Sequence, residues 1–332
     1  MASGTGRTRT LKALLRLLGP VILLVVILKL PDRAALLKGI ASANPLWLGL
    51  AVLLNPINIH LKVIRWRILL RRRGIEYSVG RAWLAFLTSA YLAMLTPGRV
   101  GDVLRVQYLK RERDVPYAEG LASVVMDRFC DLYVLAGFVA VAAVHYAPII
   151  AGKLAWATWA CVIGTVVGPA IFLIPHVPER VMGAVFRKVT GSSDGLQQFL
   201  AALRANVGWP LLITLPLTAI TFLVNYVQGS MIGVAMGIHI SFFDVTCLLA
   251  IASLLGLLPI SVSGVGVREA FFAVIFPALA LGPAVGVTFG LLVFAVIYVA
   301  ITLAGFIAWQ IAPPPFGPAV ATRTLTPDGT HG

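Results

Sequence analysis

Arginines and carboxylates recur in small groups inside an otherwise apolar chain. Arg99, Asp102 and Arg105 surround a turn marked by Pro97, Gly98 and Gly101. Asp127, Arg128 and Asp131 lie within a long hydrophobic run. Arg268 and Glu269 follow Gly264 and Gly266, with Pro259 just upstream. A guanidinium fork binds phosphate through two parallel hydrogen bonds, and a nearby carboxylate holds the fork in place. Glycines let backbone N–H groups approach the same anion, and a helix starting near Asp102 adds its positive end. These residue types therefore offer recognition of an anionic, phosphate-bearing group. Asp127 and Asp131, four residues apart, share one helical face. Two roles fit them equally: a polar lining that pairs with the turn arginines or relays a proton, and an ion-pair lock between helices.

Such groups need elements that hold them at depth. The chain is 59% hydrophobic and only 12% charged, with a mean hydropathy of +0.92, against about 25% charged in a soluble domain. This is the composition of an all-α polytopic integral membrane protein. Its net charge of +14 sits between the apolar runs, where it sets topology and attracts anionic headgroups, so no nucleic-acid partner is expected. Cys130, Cys161 and Cys247 lie in apolar stretches without metal-like or disulfide spacing. No catalytic fingerprint, metal cluster or cofactor motif emerges, and none of these is expected.

Charge and length predict about six full spans: 14–30, 46–70, 117–144, 149–174, 210–237 and 283–311. A basic tail over 1–13 precedes them and a disordered tail over 313–332 follows, both cytoplasmic, with the chain in the plasma (inner) membrane. The stretch Ala82–Thr96 is about 15 residues, short of the ~20 a crossing needs. It is basic on both flanks, which predicts a re-entrant hairpin: in along 82–96, turning at 97–101, out along 102–110. A second hairpin follows as 245–260 in, a turn at 261–266 and 268–281 out, although its arms are also long enough for two spans. The outcome is two units of opposite orientation, 46–145 and 210–311, linked by 146–209 within a single domain over 14–312. Paired breaks in inverted halves mark a transporter's substrate site.

The order Arg65-Trp66-Arg67, Pro97-Gly98-Arg99-Val100-Gly101-Asp102 with Arg105, Asp127-Arg128 with Asp131, and Gly264-Val265-Gly266 with Arg268-Glu269 resembles the lysylphosphatidylglycerol synthase transmembrane-region family. The likeness spans roughly residues 10–312. It implies a flippase-like fold and translocation of a lipid such as a modified phosphatidylglycerol or a polyprenyl-phosphate-linked lipid. The aminoacyltransferase domain of the bifunctional members has no counterpart in this sequence, so aminoacyl transfer is not expected.

The expectation is therefore a transporter of an anionic lipid. Its headgroup would contact Arg99, Asp102, Arg105, Asp127, Arg128, Asp131, Arg268 and Glu269, and Pro97, Gly98, Gly101, Pro259, Gly264 and Gly266 would shape the turns. One rival is an integral-membrane transferase on a lipid-linked substrate, with Asp102 or Asp127 as general base. Another is a non-transporting partner of an envelope-biogenesis enzyme. Small residues in the later spans permit a homo-oligomer.

Overall fold

The computed structural model describes residues 24–25, 27–28, 33–147, 153–174, 177–180, 194–257 and 264–313. The expected tail over 1–13, all but Pro313 of the expected tail over 313–332, most of the expected first span, and Pro259 with the turn through Ser263 lie outside the described residues. Regular structure among the described residues is helical throughout, and the chain is an all-α membrane protein. Pro45–Arg71, Trp209–Ala235 and Pro283–Ile311 are each long and apolar enough to cross a bilayer.

The elements run α1 (Arg33–Ser42), α2 (Pro45–Leu53), α3 (Asn55–Arg71), α4 (Val79–Leu95), a 3-10 turn (Pro97–Val103), α5 (Leu104–Arg113), α6 (Tyr117–His145) and α7 (Lys153–Leu173). They continue as α8 (Asp194–Arg204), α9 (Trp209–Ala235), α10 (Phe242–Leu255), α11 (Val267–Ile275), a second 3-10 turn (Phe276–Leu279), α12 (Pro283–Val293), a π-helical segment (Phe294–Val299) and α13 (Ala300–Ile311). Asp194 and Gly195 open α8. Leu196, Leu200 and Leu203 of that helix are buried, and Leu203 shares a core with Leu69, Ala122 and Met126.

Local chemistry sets the boundaries. The Asn44 side chain accepts from the Leu46 N–H at 2.9 Å, with Pro45 opening α2, an ordinary cap. The Ser241 hydroxyl caps α10 by accepting from the Asp244 N–H. Gly266, at φ 86°, takes a left-handed conformation open to glycine, and its N–H donates to Glu269 at 2.6 Å. Two long helices are interrupted: α2 gives way to α3 at Leu54, ahead of Pro56, which has no N–H to donate. The other break is the π segment between α12 and α13. They meet, because Asn55 Nδ2 donates to the Val296 carbonyl at 2.8 Å, so each break satisfies part of the other.

Helices α4 and α5 form a helical hairpin. The turn folds back on α4 so tightly that a Cβ at Gly101 would lie 2.3 Å from the Ala93 nitrogen. The Gly101 N–H donates to the Thr96 hydroxyl at 2.9 Å. At the open end, Arg81 and Tyr77 both meet Glu112. Helices α10 and α11 form a second hairpin, with Gly256 and Gly264 in close backbone approach. Each hairpin packs on the other half: α4 against α13 and α10 against α6, while α9 packs on α2 and α3. A Cβ at Gly305 would come within 2.5 Å of the Leu87 carbonyl, so glycine lets α13 touch the α4 backbone.

The two hairpins open at opposite ends of the bundle. Near the open end of α4–α5, Tyr108 donates to the Ala312 carbonyl at 2.6 Å and Arg73 meets Glu119 at 3.4 Å. Near the start of α10, Tyr146 donates to Asp244 at 2.9 Å, His145 lies 3.0 Å from the same carboxylate, and Asn44 N–H reaches the Ala235 carbonyl. The first end carries Arg71, Arg72, Arg73, Lys110, Arg111 and Arg113. Outward faces are apolar, with Trp156, Leu212 and Val274 each more than 75% exposed, as lipid contact requires.

Candidate functional site

A polar stripe runs down α3 as Asn55, Asn58, Lys62 and Arg65, spaced three, four and three residues apart. A matching stripe on α9 comprises Thr214, Thr218, Thr221, Asn225 and Gln228. At helical period each stripe occupies one face. Asn58 donates to the Thr221 carbonyl and to Asn225 Oδ1, both at 2.9 Å, and Gln228 donates to Asn55 Oδ1 at 3.0 Å. Arg65 donates to the Thr218 hydroxyl at 2.8 Å. This seam joins the opening helices of the two halves.

At the basic end of the seam lies an ion-pair network. Arg65 Nε donates to Asp127 Oδ1 at 2.7 Å and its Nη1 to Asp131 Oδ1 at 2.5 Å. Arg105 donates from both terminal nitrogens to Asp127 Oδ2 at 3.2 Å. Arg128 bridges Asp102 at 2.8 Å and Asp131 at 3.0 Å. Three arginines and three aspartates thus alternate, and charge balances locally. Arg65, Arg105 and Asp127 are at most 1% exposed, which costs heavily unless each charge is paired. Arg105 also lies between the rings of Trp66 and Phe86, at 5.1 and 4.9 Å.

This geometry revises part of the expected contact set. Arg105 and Asp127 point into the network and bind each other. Both Asp127 oxygens accept from guanidinium groups, which leaves no lone pair well placed for a general base. Asp102 is 4% exposed and holds Arg128. Pro97, Gly98 and Arg99 belong to the 3-10 turn, while the Arg99 side chain lies outside the described residues. Glu269 accepts from Arg268 Nε and Nη2 at 3.0 and 2.6 Å and from the Gly266 N–H. The second pair is therefore self-contained and buried.

Arg128 and Asp131 do reach open space. A cavity of about 360 Å³ lies between α3, α4, α6, α9, α10 and the π segment, with Lys62, Arg128, Asp131, Asn225, Ser253 and Tyr298 among its polar walls. Both hairpins contribute near their tips: Met94 from α4, and Ser253 and Gly256 at the end of α10. Lys62 and Asp131 share its polar wall. A smaller recess of about 30 Å³ shares Asn225, Ser253, Ile297 and Tyr298 with it and is reached by Arg268.

Arg65 and Lys62 were not among the expected contact residues. The stripe at helical period was the available signal for both. Tyr298 gave none, since aromatic residues in apolar helices are ordinary.

The model of the lysylphosphatidylglycerol synthase transmembrane region matches residues 14–305. The chain belongs to this family. Among relatives, it is 27% identical to the glycosyltransferase AglD of Haloferax volcanii over 82% of this chain and 50% of that protein. The chain thus spans about half the length of that relative. It is also 20% identical to the UPF0104 membrane protein MJ1595 of Methanocaldococcus jannaschii, over 83% of this chain and 88% of that protein. No solved structure matches this member of the family.

Proposed function

We propose that this protein is a flippase-like transporter that moves an anionic, phosphate-bearing lipid across the membrane. The central cavity carries the reading: both halves and both hairpin tips enclose it, and Lys62 and Arg128 supply cationic donors on its wall. At about 360 Å³ it suits a headgroup, while acyl or polyprenyl chains stay in lipid. The two hairpins are re-entrant in this reading, one from each face, and the halves form an inverted repeat. Rocking of one half against the other then exposes the cavity to each side in turn. The basic end of the bundle faces the cytoplasm, and the plasma membrane is the site of action.

The buried network has a positioning role. Asp102 and Asp131 orient the Arg128 guanidinium, and Asp127 with Arg65 and Arg105 locks α3, α5 and α6 behind it. The name of the Haloferax relative favours a second reading, in which the lipid is one that receives or carries a sugar.

Reconstituted vesicles with labelled lipid on one leaflet test both. Arg128→Gln and Lys62→Gln should each slow lipid movement at least ten-fold while the protein still folds. Unchanged movement in both variants would refute the site. Parallel vesicles loaded with phosphatidylglycerol or with a polyprenyl-phosphate sugar decide between the two lipids.

A further inference from the structure

We infer that the recess beside Arg268 is a second, oxyanion-binding subsite of the cavity, taking phosphoryl or carboxylate oxygens at the far end of the headgroup. This deepens the transport reading and rests on it for the identity of the ligand. The polar groups on the recess wall are arranged as donors. Asn225 Oδ1 is already engaged by Asn58, so its amide NH₂ is left for the recess. Glu269 lies behind Arg268 with both oxygens occupied by Arg268 and the Gly266 N–H. It neutralises the guanidinium without offering a bare carboxylate to the recess. Arg268 spends Nε and Nη2 on Glu269. Its guanidinium is clamped near the rings of Phe294 and Tyr298 at 5.3 and 5.2 Å.

The decisive group is Tyr226. It lines the recess, is 1% exposed, and its hydroxyl has no hydrogen-bond partner among the described residues. A buried hydroxyl without a partner is costly to keep, and phenylalanine would fill the same space without that cost. A ligand oxygen entering from the larger cavity supplies the missing acceptor. The π segment contributes by turning both Ile297 and Tyr298 toward the two spaces, a use of π geometry common at functional sites. At about 30 Å³, the recess accommodates an oxygen or two rather than a whole headgroup, so the rest of the group stays in the larger cavity near Arg128.

The test uses the full chain purified in detergent, with dihexanoyl phosphatidylglycerol and inorganic phosphate as separate probes and thermal stabilisation as the readout. Tyr226→Phe should unfold at or above the wild-type temperature without probe, because no protein hydrogen bond is lost. Its apparent Kd for the short-chain lipid should rise roughly ten-fold, as expected for a lost hydrogen bond to a charged oxygen. Ser253→Ala should weaken binding in the same direction. An equal loss for inorganic phosphate supports a subsite open to free oxyanions, and a loss confined to the lipid supports one read only through the headgroup. Unchanged affinities in both variants, or no stabilisation of the wild type by either probe, overturn the subsite. Arg128→Gln separates the two claims. If it stops lipid movement while Tyr226→Phe leaves binding unchanged, only the subsite fails; Tyr226-dependent binding in a wild type that moves no lipid fails the transport reading alone.

Discussion

Replacing Asp127 by asparagine isolates the part of the network that holds the fold. The carboxylate takes Arg65 on one oxygen and both terminal nitrogens of Arg105 on the other, with all three side chains buried. Asparagine keeps the shape and removes the charge. Arg65 retains Asp131 and the Thr218 hydroxyl, whereas Arg105 is left with a 3.3 Å contact to the Asp102 carbonyl and two aromatic faces. A buried cation stripped of its carboxylate costs about 3–5 kcal/mol. Asp131→Asn should cost less, about 1.5–3 kcal/mol for lost charge-assisted bonds. Its partners keep other carboxylates, Arg65 on Asp127 and Arg128 on Asp102. The assay is denaturant titration in mixed micelles, read by tryptophan fluorescence, for Asp127→Asn, Asp131→Asn, Arg105→Gln and the Asp127→Asn/Arg105→Gln pair. The paired variant removes both charges together, so it should be at least about 1 kcal/mol more stable than the sum of its singles predicts. Additive losses, or an Asp127→Asn variant as stable as wild type, would refute the argument that these charges survive burial by compensating one another.

Other substitutions probe the close contacts and the topology. Gly101→Ala and Gly305→Ala place a Cβ within 2.3 and 2.5 Å of backbone atoms, so each should destabilise by about 1–3 kcal/mol or more, measured by the same titration. Gly137→Ala in α6 meets nothing within 4 Å and should be neutral or stabilising by up to about 1 kcal/mol. In a background lacking Cys130, Cys161 and Cys247, cysteines at Arg111 and Phe243 should react with a membrane-impermeant maleimide from opposite faces, because the hairpins open at opposite ends. Labelling of both from one face would contradict the proposed orientation.

The long helices were legible in sequence because a membrane leaves few options: apolar length and flanking arginines place 46–70, 117–144, 210–237 and 283–311 close to the helices observed. The fold-back of α4 through the turn to α5 follows the short apolar run and its basic flanks, and its re-entrant placement belongs to the proposed function. Partner choice was less legible. Arg65, Arg71, Arg72 and Arg73 are one residue type in one stretch, yet Arg65 is 1% exposed and Arg71 lies on the surface. What separates them is helical phase: Arg65 continues the stripe of Asn55, Asn58 and Lys62, three and four residues apart, and only that face meets α6 and α9. Orientation rules count charges without asking which way they point.

The same distinction explains why the two Pro/Gly breaks are not equivalent. The first carries Asp102, which reaches across to Arg128, so its turn is tied to the closing helix of its own half. In the second, Arg268 and Glu269 satisfy each other within one turn of α11. The first break is thus tied to several elements, Asp102 to Arg128 of α6 and Arg105 to Asp127. The second pair is held within its own helical turn by the Gly266 N–H and against the π segment, where Phe294 and Tyr298 flank the guanidinium. A rocking motion that separates the halves would carry the Arg268 pair along as a unit, with its charge still compensated. It would force the Arg65 network to break or to move whole. Since breaking costs several kcal/mol, the economical motion keeps α3, α5 and α6 together. Under the proposed transport reading, the sliding surface then lies along the cavity, where α4 meets α13 and α10 meets α6.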